Sequence, residues 1–175
     1  MRAPTLLLLL ALPVGATRAD VSPVSKAFQV SATVASGCAF GTTLSSSNYN
    51  LGNLNFGTLA SLATPVSVAS SAGSGSIVLT CTPGMTVSIA LDYGTNGASA
   101  SQRYLRQGSG SETLAYQLYR DAAYSQVWGT GALALSVPSF PAATQTYTVY
   151  ARLLASSSLP SAGTYTDTVT VTLTY

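Results

Sequence analysis

Chemistry at neutral pH needs a group that titrates there, a nucleophile or a metal, and this sequence is poor in all three. It holds no histidine, so the usual general base and the commonest metal ligand are missing. Hydrolysis by paired carboxylates needs two acids held across one bond. Outside the first 19 residues the acids are Asp20, Asp92, Glu112, Asp121 and Asp167, and their spacing brings no two together. Asp92 precedes a turn signal, while Glu112 and Asp121 flank a strand candidate. The adjacent Arg120 and Asp121 suggest a site only weakly, because at a strand end such a pair reads as a turn or a local salt bridge, worth under about 1 kcal/mol when exposed. The glycine-rich stretches read as hairpin turns, with no helix behind them to make a phosphate cradle. The sequence therefore offers no catalytic set, no metal site and no cofactor motif, and the chain is expected not to be an enzyme.

Two cysteines, Cys38 and Cys81, remain. In an exported chain they read as one disulfide, and two buried free thiols are the alternative. Such a link closes a loop of about 43 residues and stabilises by about 4 kcal/mol on the loop-entropy estimate. The aromatic residues Tyr104, Tyr116, Tyr119, Tyr124 and Trp128, with Tyr147, Tyr150, Tyr165 and Tyr175 further on, have two readings. Rings stack on sugar faces, but tyrosine is also a preferred strand residue with a polar tip.

Export is itself read from the sequence. Arg2 is followed by the apolar run Leu6–Leu12 and by small residues to Ala19, a secretory signal too short to span a bilayer. Cleavage after Ala19 leaves about 156 residues, one domain. It also removes Arg2 and Arg18, so Lys26, Arg103, Arg106, Arg120 and Arg152 balance the five acids and the net charge is near zero. No basic patch is left for nucleic acid, and no later run is long enough to insert in a membrane. Charged residues are 7% of the chain, against about 25% in ordinary soluble domains. So little charge suits a surface hidden in an assembly.

The elements that must carry these residues are strands. Helical periodicity is absent, and alternating runs appear instead at 27–35, 76–82, 86–92, 113–120, 145–154 and 165–175, with shorter ones at 54–56 and 65–69. Ser, Gly, Asn and Pro connect them, which predicts an all-β sandwich. The last run is the most regular. Threonine fills every second position from Thr166 to Thr174, and Val169, Val171, Leu173 and Tyr175 share the other face. It carries none of the lysines, prolines or bulges that normally blunt an edge strand.

Five stretches together resemble a known family. FQVSATVASGCAF (Phe28–Phe40), LNFGTL (Leu54–Leu59), IVLTCTPG (Ile77–Gly84), LAYQLYRDAAYSQVWG (Leu114–Gly129) and GTYTDTVTVTLTY (Gly163–Tyr175) are similar, in order, to the spore coat protein U domain, which also describes subunits of Csu-type (archaic) chaperone–usher pili. The most specific parts are YRD followed by WG, G-x-Y-x-D before the last strand, and the cysteines framing LNFG. The resemblance implies an incomplete immunoglobulin-like β-sandwich that lacks its final strand. A periplasmic chaperone, and then the N-terminal extension of the next identical or related subunit, would fill the gap, with an outer-membrane usher guiding assembly. The implied organisation is a signal peptide at 1–19, a donor extension at 20–34 with its inner part also open to use as a first strand, and a pilin-type sandwich at 35–175. Donor side chains would be Phe28, Val30, Ala32 and Val34, with Val24 further out. The C-terminal chaperone and acceptor strand would present Val169, Val171, Leu173 and Tyr175. The implied function is a structural subunit of a cell-surface fimbrium for attachment and biofilm. A secreted spore-coat-type protein and a carbohydrate-binding sandwich are the alternatives.

Overall fold

Residues 23–42, 50–108, 110–158 and 160–175 are described by the structure, a computed structural model. Two compact units divide the chain, Met1–Val34 and Ala35–Tyr175. The expected signal at 1–19 and the outermost tail residues Asp20–Ser22 lie outside the described residues. Residues 23–34 form no helix or strand, so the strand expected over 27–35 is not there. Its alternating side chains have no sheet to bury against, and an isolated strand leaves its backbone unpaired. Val24, Phe28, Val30 and Val34 are 89, 87, 82 and 90% exposed.

The second unit is all-β. In chain order its strands are β1 (Cys38–Phe40), β2 (Val66–Ala69), β3 (Ile77–Cys81), β4 (Val87–Leu91), β5 (Arg103–Gln107) and β6 (Thr113–Tyr119), then β7 (Leu135–Val137), β8 (Gln145–Tyr147), β9 (Tyr150–Leu153), β10 (Tyr165–Thr166) and β11 (Val171–Thr174). Among the described residues the one helix is a 3₁₀ turn at Gly131–Leu133. Pairing is antiparallel throughout and gives sheets in the orders β1-β3-β8, β10-β5-β6-β9-β2 and β11-β4-β7. Their inner faces close on one core in a sandwich-like arrangement.

Period-2 patterning explains most of this. On β4, Val87, Ile89 and Leu91 are buried while Ser88 and Ala90 are half-buried. Consecutive burial of Ile77, Val78 and Leu79 marks β3 as covered on both faces. Trp128 is 1% exposed, and its indole N–H donates to the Ile89 carbonyl at 2.9 Å, pinning the segment after β6 to β4. Cys38 and Cys81 stand opposite each other on β1 and β3 and are disulfide-bonded.

Two long strand expectations are corrected. The run 145–154 is two strands in different sheets, divided at Thr148–Val149, where the Val149 N–H donates to Ser70 Oγ at 2.7 Å instead of to a ladder. The run 165–175 likewise splits into β10 and β11, and the carboxylate of Asp167 draws the backbone out of the ladder between them. Strands that change sheets in this way make the corners of a sandwich. The short candidate at 54–56 is irregular chain, and β1, β5 and β7 form where no strand is expected.

Candidate functional site

Within the second unit lies one large cleft of about 1040 Å³. Leu105, Leu114, Tyr116, Leu118 and Leu153, on the inner face of the five-stranded sheet, line its floor, and Leu91 of β4 closes the far side. Leu105 and Leu114 are half-buried, while Leu91, Tyr116, Leu118 and Leu153 already belong to the buried core. Its rims are two stretches of chain, 51–62 on one side and 160–171 on the other.

The first rim is anchored at its ends. Gly75 N–H donates to the Leu51 carbonyl at 2.7 Å, and Ser156 N–H to the Leu62 carbonyl at 2.9 Å. Gly52 sits at φ +83°, where a Cβ would lie 2.0 Å from the Gly73 carbonyl oxygen, so only glycine fits that corner. Between the anchors, residues 53–61 make no backbone–backbone hydrogen bond among the described residues. Two apolar side chains there nonetheless turn inward, while Leu59 is 39% exposed. Leu54 and Phe56 pack on the core, and the Phe56 ring meets Tyr116 edge-on at 6.3 Å.

The second rim holds β10, paired to β5, and runs into β11, an edge strand bonded to β4 alone. Asp92 N–H donates to the Thr170 carbonyl at 3.0 Å, so by the antiparallel alternation Thr172 and Thr174 bond β4 while Val171 and Leu173 turn their backbone groups to the open side. Val169 and Val171 line the cleft. Leu173 is half-buried on the core, whereas Tyr175 is 61% exposed and lies outside the lining. Two facing rims with unpaired backbone over an apolar floor are what an added β-strand requires.

Polar contacts hold this rim. Asp167 Oδ2 accepts from the Tyr116 hydroxyl at 2.7 Å, and Oδ1 accepts from Thr95 N–H at 2.9 Å. Burial, with the Asp167 bond and charge in support, pushes the Tyr116 phenol well above the ordinary range, so it stays a donor. Asp92 Oδ1 accepts from Thr170 N–H at 2.9 Å. Glu112 Oε2 accepts from Ser161 N–H and the Tyr165 hydroxyl, each at 2.9 Å, and the Ser161 backbone bond leads in lowering its pKa. Behind the floor Arg103 is fully buried. Its guanidinium donates to the carbonyls of Asp92 at 2.6 Å and Trp128 at 2.8 Å and to Gln117 Oε1, although desolvation lowers its pKa. Nothing in the sequence singled out Arg103, which stands in a stretch where no strand is expected.

The remaining sequence candidates have structural tasks. The Asp121 carboxylate accepts from Ser125 N–H and Oγ–H and from Gln126 N–H, closing a tight turn. Arg120 instead donates to the Ala134 carbonyl at 3.2 Å. Tyr119 and Tyr150 each pack edge to face on Tyr124, with the Arg152 guanidinium 5.4 Å over the Tyr124 ring. Of the residues expected to act as donor side chains, Phe28, Val30 and Val34 are solvent-exposed, as is Ala32.

The Spore Coat Protein U domain family model matches residues 24–172. No curated protein matches the chain. Among solved structures the chain is similar to one described as the CsuC-CsuE chaperone-tip adhesion subunit pre-assembly complex from archaic chaperone-usher Csu pili of Acinetobacter baumannii. The TM-score is 0.55 at 22% identity, over 82% of this chain and 41% of that one. The chain thus spans about two fifths of that neighbour's length, and the likeness is one of fold. Among the described residues no helix is long and apolar enough to cross a membrane.

Proposed function

Because the chain belongs to the Spore Coat Protein U domain family, we propose that it is a structural subunit of an extracellular pilus, built by β-strand addition on the chaperone–usher route. The observation that carries the reading is the open apolar cleft with unpaired backbone on both rims. A periplasmic chaperone strand would occupy it first. The extension of an identical or related subunit would then replace that strand, with an outer-membrane usher catalysing the exchange. The donor is residues 20–34, in which Phe28, Val30, Ala32 and Val34 alternate on one face; in the described part every one of these side chains is exposed. Burying the larger ones contributes roughly 1.5–3 kcal/mol each. Val169, Val171 and Leu173 are the acceptor side, and Tyr175 lies beyond the cleft. A head-to-tail contact of this kind does not close on itself and makes a fibre. The fibre would stand on the cell surface, after export through the periplasm, and serve attachment and biofilm. No catalytic turnover has a part in it.

The test compares the secreted protein with a form lacking residues 20–34, by unboiled SDS gels and electron microscopy. Intact protein is expected to give SDS-resistant ladders and fibres, and the truncated form none. Stable monomers from both would overturn the reading.

A further inference from the structure

A cleft that waits for a partner strand has a mechanical difficulty. Its C-terminal rim has a neighbour on one side only, and an edge of four residues frays easily. Apolar contact does little for the 166–170 stretch, where three of the five residues are threonines.

Asp167 supplies what is missing. Its Oδ1 accepts from Thr95 N–H at 2.9 Å, Thr95 Oγ–H at 3.1 Å, Asn96 Nδ2–H at 3.1 Å and Thr168 N–H at 2.9 Å, while Oδ2 takes the Tyr116 hydroxyl. Asn96 also donates to the carbonyls of Thr166 and Tyr104, both at 2.9 Å. Gly94, at φ +82°, packs so tightly that a Cβ there would lie 1.9 Å from Asp167 Oδ2. One carboxylate therefore joins the rim, the 94–96 loop and the cleft floor.

We infer that Asp167 is a positioning residue for strand uptake, holding the C-terminal rim at a fixed height over the floor before any partner strand arrives. The inference rests on the strand-addition reading. A rim fixed in advance spares the incoming strand the ordering it would otherwise impose, so uptake is faster and tighter. The same carboxylate breaks the last strand in two, which keeps Val169 and Val171 at the cleft while β11 stays paired to β4.

The experiment uses the full chain and a labelled synthetic peptide of residues 23–34. Asp167→Ala is expected to slow peptide uptake by at least about tenfold, the equivalent of one or two lost charge-assisted bonds. Amide exchange should speed up by a similar factor at β11 and stay unchanged at β6 and β9. Asp167→Asn keeps the Oδ1 acceptor and lets the Tyr116 hydroxyl accept from the new amide, so it should restore uptake to within about threefold. Leu79→Val, in a different sheet, controls for a general loss of stability and should leave the uptake rate as it is. Wild-type uptake by Asp167→Ala, or exchange that rises equally in every strand, would overturn the inference. Should the wild-type chain take up no peptide, strand addition fails as a reading, and the exchange pattern alone still decides whether Asp167 holds the rim.

Discussion

Arg103 is a cation that the fold holds in its core, fully buried. It carries a charge into the core and meets only neutral oxygens there, the carbonyls of Leu91, Asp92 and Trp128 and the Gln117 amide. The Tyr93 ring lies 5.2 Å from the guanidinium carbon and adds a cation–π contact. Replacement by alanine strands several buried acceptors at once and is expected to lower the unfolding free energy by about 3–5 kcal/mol in urea titrations. Lysine should recover less than half of that, because one ammonium cannot span carbonyls on β4, on the Trp128 segment and on β6 together. Gly52 fails for another reason. Gly52→Ala places a methyl against the Gly73 carbonyl in a left-handed backbone. It should cost about 1–3 kcal/mol, seen as a lowered thermal midpoint.

At the scale of elements, the extension and the sandwich answer to different tests. Val30 is 82% exposed, so Val30→Asp should leave the unfolding transition where it is. It should nonetheless abolish SDS-resistant ladders, since the variant would have to bury a carboxylate in an apolar cleft; ladders at wild-type yield would place the donor elsewhere. The elements also show what a sequence discloses. The strand β4 was legible because it buries side chains in the period of its own pleat, and β3 and β6 because each is a short run rich in strand-forming residues, buried on both faces where they cross the core. The strand β5 was not, since Arg103 and Arg106 disguise it, and what buries Arg103 is a set of carbonyls from distant segments. The splitting of the last run was equally hidden. Asp167 keeps the alternation intact on paper, and only its bonds to Thr95, 72 residues away, show that the backbone leaves the ladder there. The apolar rim stretch LNFG was visible, but the cleft beside it depends on how strands distant in sequence pair, which no local pattern records.

For the whole molecule, the few carboxylates decide how it should respond to pH. Glu112 binds segment 161–170 to the body through Ser161, and Asp121 closes its own turn. The Glu112 carboxyl lies below its ordinary 4.5, chiefly through the Ser161 backbone bond. For Asp121, burial works upward, but bonds from Ser125 and Gln126 outweigh it and hold the group below 3.8. A depressed carboxyl contributes stability that is complete above its unfolded value and is lost as pH falls through the folded one. The tyrosines set the other limb. Tyr116 is raised above 10.0 by burial first and by Asp167 next, and Tyr165 by burial and Glu112. Their contribution is complete below pH 10 and disappears as pH climbs through the folded values. With no histidine between these limits, the thermal midpoint should be level from about pH 5 to about pH 9 and fall on either side. Glu112→Gln should start lower and lose less between pH 5 and pH 3 than the wild type, so that the two curves converge in acid. A midpoint that stepped near pH 6.5 would contradict this account. So would an unchanged acid limb in Glu112→Gln, for the rim would then be held by something other than its carboxylates.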